Sequence, residues 1–246
     1  MKYFFLLFTV FTIYSQNENF EKKIFIFESD TLKYRILKPL DYDSNKKYPV
    51  HLFLHGAGER GNDNQKQLVH GSKLFLNLEN RKKYKSWVIF PQCPIDDWWG
   101  NKKRYPEFKG NAIGLVIKLM ESMLNSKNVD DNRIYVSGLS MGGMGTFEIL
   151  SQKPNMFAAA TPICGSGELN NVEKYAKKVP IWIFHGALDK VVLPSKSLQI
   201  AEKIIEEGGN PRVTIYESVY HDSWNNTFEE KDFLYWIHSK SKNNYE

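Results

Sequence analysis

The chain has 246 residues, of which 42% are hydrophobic and 25% charged, and its formal net charge is +5. This composition supports one domain with a large buried core and excludes an intrinsically disordered chain. The basic residues are scattered along the chain. We therefore expect a solvated surface and no nucleic-acid partner.

The first segment of the chain has the layout of a secretory signal peptide. Lys2 precedes an apolar run from Tyr3 to Tyr14, and small or polar residues follow. The run is shorter than the roughly 20 residues of a transmembrane helix, so we expect no stable membrane anchor. A buried N-terminal strand or helix is the alternative. We predict a signal peptide over residues 1–15, one domain over residues 16–246, and a secreted or periplasmic location.

Strand and helix signals alternate through the rest of the chain, which predicts the α/β class with a mostly parallel sheet and helices on both faces. KIFIFES and LKYRILKP are expected to form an antiparallel hairpin at the sheet edge. The later strand segments are YPVHLFLHG, KSWVIFPQ, RIYVSG, AAATPICG, PIWIFHG and RVTIYESVYH. Apolar spacing predicts helices over residues 111–124, 144–150, 196–207 and 227–238. No stretch is long enough for a separate lid domain.

A G-x-S-x-G motif spans Gly138 to Gly142. It lies between a predicted strand and a predicted helix, where this motif forms the tight turn that exposes a nucleophilic serine. The helix dipole there favours developing negative charge. An ordinary glycine-rich helix start with an N-cap serine is the alternative. We predict Ser140 as the nucleophile.

A serine hydroxyl needs a histidine base, and three histidines follow Ser140 in the chain. His238 falls in the predicted terminal helix, where we expect it at the surface. His185 ends a strand before any suitable acid. His221 falls in the loop between the last strand and the last helix, so we predict it as the base.

The base in turn needs an acid that orients the imidazole ring. Asp189 lies just past the IWIFHG strand and before His221, in the order serine, acid, histidine. Asp222 is adjacent to the histidine and could not easily turn back on the ring, and Glu168 is a weaker rival. We predict Asp189 as the acid.

An acyl-transfer intermediate needs hydrogen-bond donors aimed at its oxyanion. The backbone N–H of Met141 is one candidate. The loop after HLFLHG supplies the second, for which we choose Ala57, with Gly58 as the alternative. Glu59 and Arg60 follow closely, and we expect them to form an ion pair that pins the loop.

Six segments form a recognisable set: HGAGERGNDN, FPQCP, NRIYVSGLSMGGMGT, PICGSG, HGALDKVV and HDSW. Together they resemble the exported esterases related to polyhydroxybutyrate depolymerases, feruloyl esterases and dienelactone hydrolase, many of them labelled predicted peptidases of the prolyl oligopeptidase type. The resemblance runs from about residue 24 to 239. It implies an α/β-hydrolase fold with an eight-stranded sheet and no large lid, in which the HLFLHG strand lies between the VIFPQ and RIYVSG strands.

The resemblance also implies site roles. It carries catalytic roles onto Ser140, Asp189 and His221, and oxyanion roles onto Ala57 and Met141. One departure is that no propeller domain is present in the sequence to filter peptides by size, which argues against oligopeptidase activity.

The two cysteines, Cys93 and Cys164, each follow a predicted strand. In the implied strand order those strands are not neighbours, and a disulfide needs Cα atoms within about 7 Å. We therefore favour two buried free thiols. No Cys/His cluster has zinc-ligand spacing, and the expected mechanism requires no metal or other cofactor.

These features predict a serine carboxylic ester hydrolase acting on a small-molecule or polysaccharide ester, such as an acetyl or feruloyl ester. Trp98 and Trp99 follow a strand end and are predicted to line the acyl or sugar site, with plain packing as the alternative. Trp224 is expected to pack under the histidine loop. The alternative functions are a serine peptidase of the prolyl oligopeptidase type and an inactive carbohydrate-binding or interaction protein.

Overall fold

A computed structural model describes residues 19–100, 103 and 106–244 of the chain. The predicted signal peptide over residues 1–15 lies outside the described residues. Within them, no helix combines the length and apolar character that crossing a membrane requires.

Eight strands form one sheet in the described part of the chain, in the order β1-β2-β4-β3-β5-β6-β7-β8. The strands are β1 (Glu21–Phe27), β2 (Asp30–Leu37), β3 (Tyr48–Leu54), β4 (Trp87–Pro91), β5 (Val129–Leu139), β6 (Ala159–Ile163), β7 (Trp182–Gly186) and β8 (Arg212–Tyr216). β1 and β2 form the predicted antiparallel hairpin at the edge, and β2 pairs antiparallel with β4. The remaining pairs are parallel, and β3 lies between β4 and β5 as predicted.

Helices cover the two faces of this sheet, and each face has its own apolar cluster. The helices of the described residues are α1 (Ser72–Leu76), α2 (Leu78–Lys83), α3 (Ala112–Leu124), α4 (Met141–Gln152), α5 (Pro194–Glu206), α6 (Trp224–Glu229) and α7 (Phe233–His238). Alternate residues of β3 serve opposite faces: Val50 and Leu52 belong to one cluster and Phe53 to the other. Burial on both sides explains why this strand reads as an unbroken apolar run.

The helix predicted over residues 227–238 is wrong as a single element. α6 ends at Glu229, the next residue, Glu230, has an extended backbone (φ −60°, ψ 119°), and α7 begins at Phe233. The break lets the two halves face different neighbours. Trp224 on α6 contacts the ring of His221, while Phe233 on α7 packs against Phe184 in the core.

His238 is not the surface residue expected from the sequence. Its ring centroid lies 4.9 Å from that of Tyr84 and 5.1 Å from that of Tyr135. Burial lowers the pKa of this histidine to about 3, with a further lowering by the charge of Arg133. The imidazole is therefore a neutral part of the aromatic packing under α7.

The short helices α1 and α2 were not predicted. Each has five or six residues, which is too few to show a helical period. The side chain of Asn77 caps α2 by accepting a hydrogen bond from the N–H of Asn80. The predicted helix over residues 144–150 also begins earlier than expected, at Met141, directly after Ser140.

Candidate active site

Ser140 lies on the sharp turn between β5 and α4. Its backbone has φ 52° and ψ −115°, a strained conformation for a residue with a side chain. Two glycines permit the turn. A Cβ at Gly142 would lie 1.9 Å from the Leu54 carbonyl oxygen, and one at Gly138 would lie 2.2 Å from the Gly142 carbonyl oxygen. The turn thus packs directly on the end of β3 and presents the serine at the head of α4.

The structure brings together the three residues predicted as a triad. Oγ of Ser140 lies 2.9 Å from Nε2 of His221. Nδ1 of the same ring lies 2.7 Å from Oδ2 of Asp189. The Asp189 side chain is fully buried, whereas 22% of the His221 side chain is exposed. Ser140 and His221 are thus partly exposed to solvent, while the carboxylate behind them is closed off.

The Asp189 carboxylate is held by backbone groups of its own loop. Its Oδ1 accepts hydrogen bonds from the N–H groups of Val191 at 2.8 Å and Val192 at 3.0 Å. Burial raises the pKa of Asp189, but the hydrogen bonds from His221 and from these two N–H groups outweigh it and hold the pKa below its usual value. The acid is therefore ionised at neutral pH.

The rival acids lie elsewhere. Asp222 is exposed and accepts a long hydrogen bond, 3.3 Å, from the Asn225 side chain. Glu168 precedes a 3₁₀ helix over Leu169–Lys174, on the loop after β6. The carboxylate that contacts Nδ1 of His221 belongs to Asp189.

The loop after β7, which carries Asp189 (the acid loop), is in direct contact with the loop after β8, which carries His221 (the histidine loop). Gly186, which ends β7, sits so close to the histidine loop that a Cβ there would lie 2.2 Å from the Tyr220 carbonyl oxygen. The N–H of Leu188 also donates to the Val219 carbonyl at 2.9 Å. Trp224 packs against His221 as expected, with ring centroids 5.6 Å apart in an edge-to-face arrangement. Both loops are thereby fixed relative to the sheet.

The loop after β3 carries the predicted oxyanion donor and is pinned by His55. Nδ1 of the buried His55 ring lies 2.6 Å from the Gly56 carbonyl oxygen, and Nε2 accepts the N–H of Cys93 at 3.0 Å. Ala57 then begins a 3₁₀ turn, as Met141 begins α4. The first N–H groups of such turns have no partner within the turn. Ala57 and Met141 as oxyanion donors remain predictions.

The expected ion pair between Glu59 and Arg60 is wrong. Glu59 instead faces His70, with Oε1 and Nε2 3.8 Å apart. Arg60 donates to the carbonyl oxygens of Ala57 at 3.1 Å and Asp97 at 3.3 Å. Arg60 still pins the loop, but through backbone oxygens rather than through the neighbouring carboxylate.

The predicted aromatic wall divides into two different environments. Trp99 has no exposed surface, packs on Gly145 of α4 and donates from Nε1 to the His55 carbonyl at 3.0 Å. The prediction that Trp99 lines a substrate site is therefore wrong. Trp98 is partly exposed, stacks on Phe108 at 5.2 Å and lies under the Arg60 guanidinium. Its role as a substrate contact remains a prediction.

The role of the Asp97 carboxylate, directly before the two tryptophans, was not predicted from the sequence. Its buried carboxylate accepts hydrogen bonds from the N–H groups of Trp98, Gly110, Asn111 and Ala112 at 2.7–3.0 Å. It therefore connects the start of α3 to the loop that carries Trp98 and Trp99, here called the tryptophan loop. The available signal was a helical period beginning at residue 112 with a carboxylate upstream, but 14 residues separate the two in the sequence.

Both cysteines are free and buried, as favoured from the sequence. The thiol of Cys164 lies near the triad: its Sγ and the ligand-type atoms of Asp189 and His221 lie within 4.8 Å of one another. Burial raises the pKa of Cys164 to about 12, so the thiol stays protonated. The other two groups already hydrogen-bond each other. We therefore assign this cluster to the triad rather than to a metal.

Three comparisons place the chain among known proteins. A solved structure of a thermostable esterase superposes with a TM-score of 0.85 at 34% identity, covering 92% of this chain and 64% of that one. A probable feruloyl esterase C of Aspergillus niger is 22% identical over 82% of this chain and 70% of its own. The bifunctional acetylxylan esterase/xylanase XynS20E of Neocallimastix patriciarum is 38% identical over 31% of this chain.

The chain spans only 11% of the length of XynS20E, so that protein resembles this one in a short segment. The family match is broader. Residues 108–241, more than half of the chain, match the dienelactone hydrolase family. They include the serine turn, the acid loop and the histidine loop. With its eight-stranded, mostly parallel sheet and α/β-hydrolase fold, the chain belongs to the dienelactone hydrolase family.

Proposed function

We propose that this protein is a serine carboxylic ester hydrolase, with Ser140 as nucleophile, His221 as general base and acid, and Asp189 as the orienting acid. The observation that carries the proposal is the unbroken chain of short hydrogen bonds from the Ser140 hydroxyl through both nitrogens of His221 to a buried carboxylate. This arrangement activates a hydroxyl that is otherwise a weak nucleophile.

In the acylation half-reaction, Oγ of Ser140 attacks the ester carbonyl carbon and its proton passes to Nε2 of His221. The carbonyl electron pair moves onto oxygen, where the N–H groups of Ala57 and Met141 are proposed to receive the negative charge. The tetrahedral intermediate then collapses and expels the alcohol, which takes the proton from Nε2. The products are the free alcohol and an ester of Ser140.

Water completes the cycle in the deacylation half-reaction. Nε2 of His221 takes a proton from water as the oxygen attacks the acyl carbon, and the second collapse returns that proton to Oγ of Ser140. Asp189 remains ionised throughout, because its role is to hold Nδ1–H and to stabilise the imidazolium. The partial exposure of His221 supports entry of water from the serine side.

For the substrate class, we propose short-chain, acetyl or feruloyl esters, including those carried by polysaccharides. Two observations support this choice. The relatives named above are described as a probable feruloyl esterase and a bifunctional acetylxylan esterase/xylanase. The partly exposed His221 ring also supports an open site, which would supply little binding energy from remote substrate groups. Esters tolerate such a site better than amides, whose amine must be protonated in good geometry before it leaves.

The test is a hydrolysis panel on the purified protein: p-nitrophenyl acetate and butyrate, methyl ferulate, acetylated xylan and a matched peptide-nitroanilide. We expect the esters to be cleaved with higher kcat/KM than the peptide, and Ser140→Ala to abolish every activity. A peptide turned over tenfold faster than the best ester would replace the esterase proposal with a peptidase. Binding of xylan without any turnover would support an inactive carbohydrate-binding protein instead.

A further inference from the structure

Asp189 carries a second histidine besides His221. Nε2 of His185 lies 3.1 Å from Oδ2 of Asp189, the same carboxylate oxygen that contacts Nδ1 of His221. The His185 side chain is fully buried at the end of β7, four residues before the acid. The proposed mechanism uses the hydrogen bond from His221 to this oxygen, and His185 makes a second hydrogen bond to the same atom.

The tautomer of His185 follows from its partners. Nε2 also lies 2.8 Å from the carbonyl oxygen of Val192, which can only accept a hydrogen bond, so Nε2 must carry a proton. Nδ1 lies 2.7 Å from Oγ of the buried Ser197, whose single hydroxyl hydrogen is shared with the Gly165 carbonyl oxygen, 3.1 Å from the same Oγ. Burial lowers the pKa of His185, although Val192 and Asp189 oppose it. The ring is therefore neutral, and its single N–H is shared between the Val192 carbonyl and the Asp189 carboxylate.

Two serine–histidine arms thus meet at one carboxylate. The first runs from Ser140 through His221 to Asp189, and the second runs from Ser197 through His185 to the same oxygen. In the second arm the serine is buried and cannot reach a substrate. Its chemistry is limited to fixing the imidazole that donates to the carboxylate.

We propose that His185 is a positioning residue of the triad, whose Nε2–H orients the Asp189 carboxylate and weakens the hold of that carboxylate on His221. The physical reason is that a donor to Oδ2 withdraws negative charge from the oxygen that stabilises the imidazolium form of His221. The proposal rests on the function proposed above. It adds His185 to the three triad residues that were predicted from their order along the chain.

The other titratable groups near Asp189 do not carry this effect. The Cys164 thiol lies within 4.8 Å, but burial raises its pKa to about 12 and it stays neutral over the working range. Asp222 and Lys190 are exposed to solvent, where water and salt screen their charges. Among the described groups, His185 and His221 are the two imidazoles in contact with the carboxylate.

The experiment measures the rate of Ser140 labelling by a fluorophosphonate, and kcat/KM for p-nitrophenyl acetate, between pH 5 and 9. The variants are His185→Leu, which removes the donor, and His185→Gln, whose amide N–H can take the place of Nε2–H. Ser197→Ala removes the hydroxyl that contacts Nδ1 of His185. The control is His51→Leu, which removes another buried imidazole whose partner is Ser137. Circular dichroism and Tm report on folding.

In His185→Leu we expect the midpoint of the acid limb to move to higher pH by about 0.3 units or more, because the unshared carboxylate favours imidazolium at His221. We expect kcat to fall, because the Asp189 carboxylate loses the donor that orients it. KM should change by less than about twofold, because His185 does not contact the substrate. His185→Gln should restore the limb, and Ser197→Ala should move it in the same direction by a smaller amount. His51→Leu should leave the midpoint in place.

If the midpoint of the pH profile is unchanged in folded His185→Leu, the inference is wrong and the role of His185 is purely structural. If that variant does not fold, Ser197→Ala takes its place, and an unmoved midpoint in folded Ser197→Ala has the same meaning. Failure of the proposed function looks different: the unmodified protein would then neither be labelled at Ser140 nor hydrolyse the ester. The two failures are therefore distinguishable in one data set.

Discussion

The indole N–H of Trp99 donates a hydrogen bond to the carbonyl oxygen of His55, 3.0 Å away. This bond joins the tryptophan loop to the residue that precedes Gly56 and the proposed oxyanion donor Ala57. The two rings also pack edge to face, with centroids 5.1 Å apart. Trp99, which was predicted from the sequence as a substrate contact, is therefore a support beneath the loop that is proposed to bind the oxyanion.

Replacing Trp99 should consequently disturb the loop after β3 and should not change which substrate is preferred. In Trp99→Phe, loss of the N–H leaves the His55 carbonyl unpaired, so we expect kcat/KM to fall by a similar factor for methyl ferulate and p-nitrophenyl acetate. Trp99→Ala should in addition lower stability by about 3–5 kcal/mol, measured by urea unfolding. A selective loss of ferulate activity in Trp99→Phe would restore the aromatic-wall hypothesis. The partly exposed Trp98 is the matched comparison.

Ser140→Ala should abolish fluorophosphonate labelling and lower kcat by about 10⁴ to 10⁶-fold, because the nucleophile is lost while oxyanion stabilisation and binding remain. Ser151→Ala on the same helix is the control, since that hydroxyl only donates to the Glu148 carbonyl. It should label and turn over as the unmodified protein does. Undiminished ester turnover by pure Ser140→Ala would exclude the proposed mechanism.

Activity should depend on pH through the base. His221 must be neutral to accept the serine proton, so kcat/KM should rise from acid pH toward a plateau at higher pH. Asp189 adds no limb of its own there, because its pKa is held below the usual aspartate value and it stays ionised. The measurement is kcat/KM for p-nitrophenyl acetate from pH 5 to 8. A flat profile with chemistry rate-limiting would contradict the role of His221.

Stability should fall on acidification because several histidines are buried in the neutral form. Burial lowers the pKa of His51 well below its usual value, that of His55 to about 4 and that of His238 to about 3. The unfolded chain protonates these groups below about pH 6.5 while the folded protein does not. Each therefore costs about 1.4 kcal/mol of unfolding free energy per pH unit as the pH falls from 6.5 toward its folded pKa.

His238→Phe tests this prediction. The new ring keeps the aromatic contacts with Tyr84 and Tyr135 and removes a buried Nε2 that has no hydrogen-bond partner. We expect the loss of unfolding free energy between pH 7 and pH 5, from urea titrations, to be smaller than in the unmodified protein. An unchanged pH slope would mean that His238 is protonated in the folded state or exposed, contrary to its packing.

Much of the site could be predicted because its signals are local. The G-x-S-x-G turn requires glycine because the backbone segments approach closely. The structure confirms this at Gly142, where a Cβ would collide with the Leu54 carbonyl. The sheet order also followed from the family resemblance, and β3 lies between β4 and β5. His185 was not predicted as the base because it ends a strand before any suitable acid in the chain. Its spacing of four residues from Asp189 was the available signal of a second contact.

The sequence by itself determined the alternation of strands and helices and the order of Ser140, Asp189 and His221, because a buried parallel strand and a glycine-flanked turn leave a mark within a few residues. Only the tertiary structure decided which neighbour covers each side chain. It buries Trp99 under the His55 loop, places His238 between two tyrosines, and directs His185 and His221 to one oxygen of Asp189. These contacts join segments from different strands and helices, and no local pattern specifies which surface will meet which until the sheet and its helices have packed.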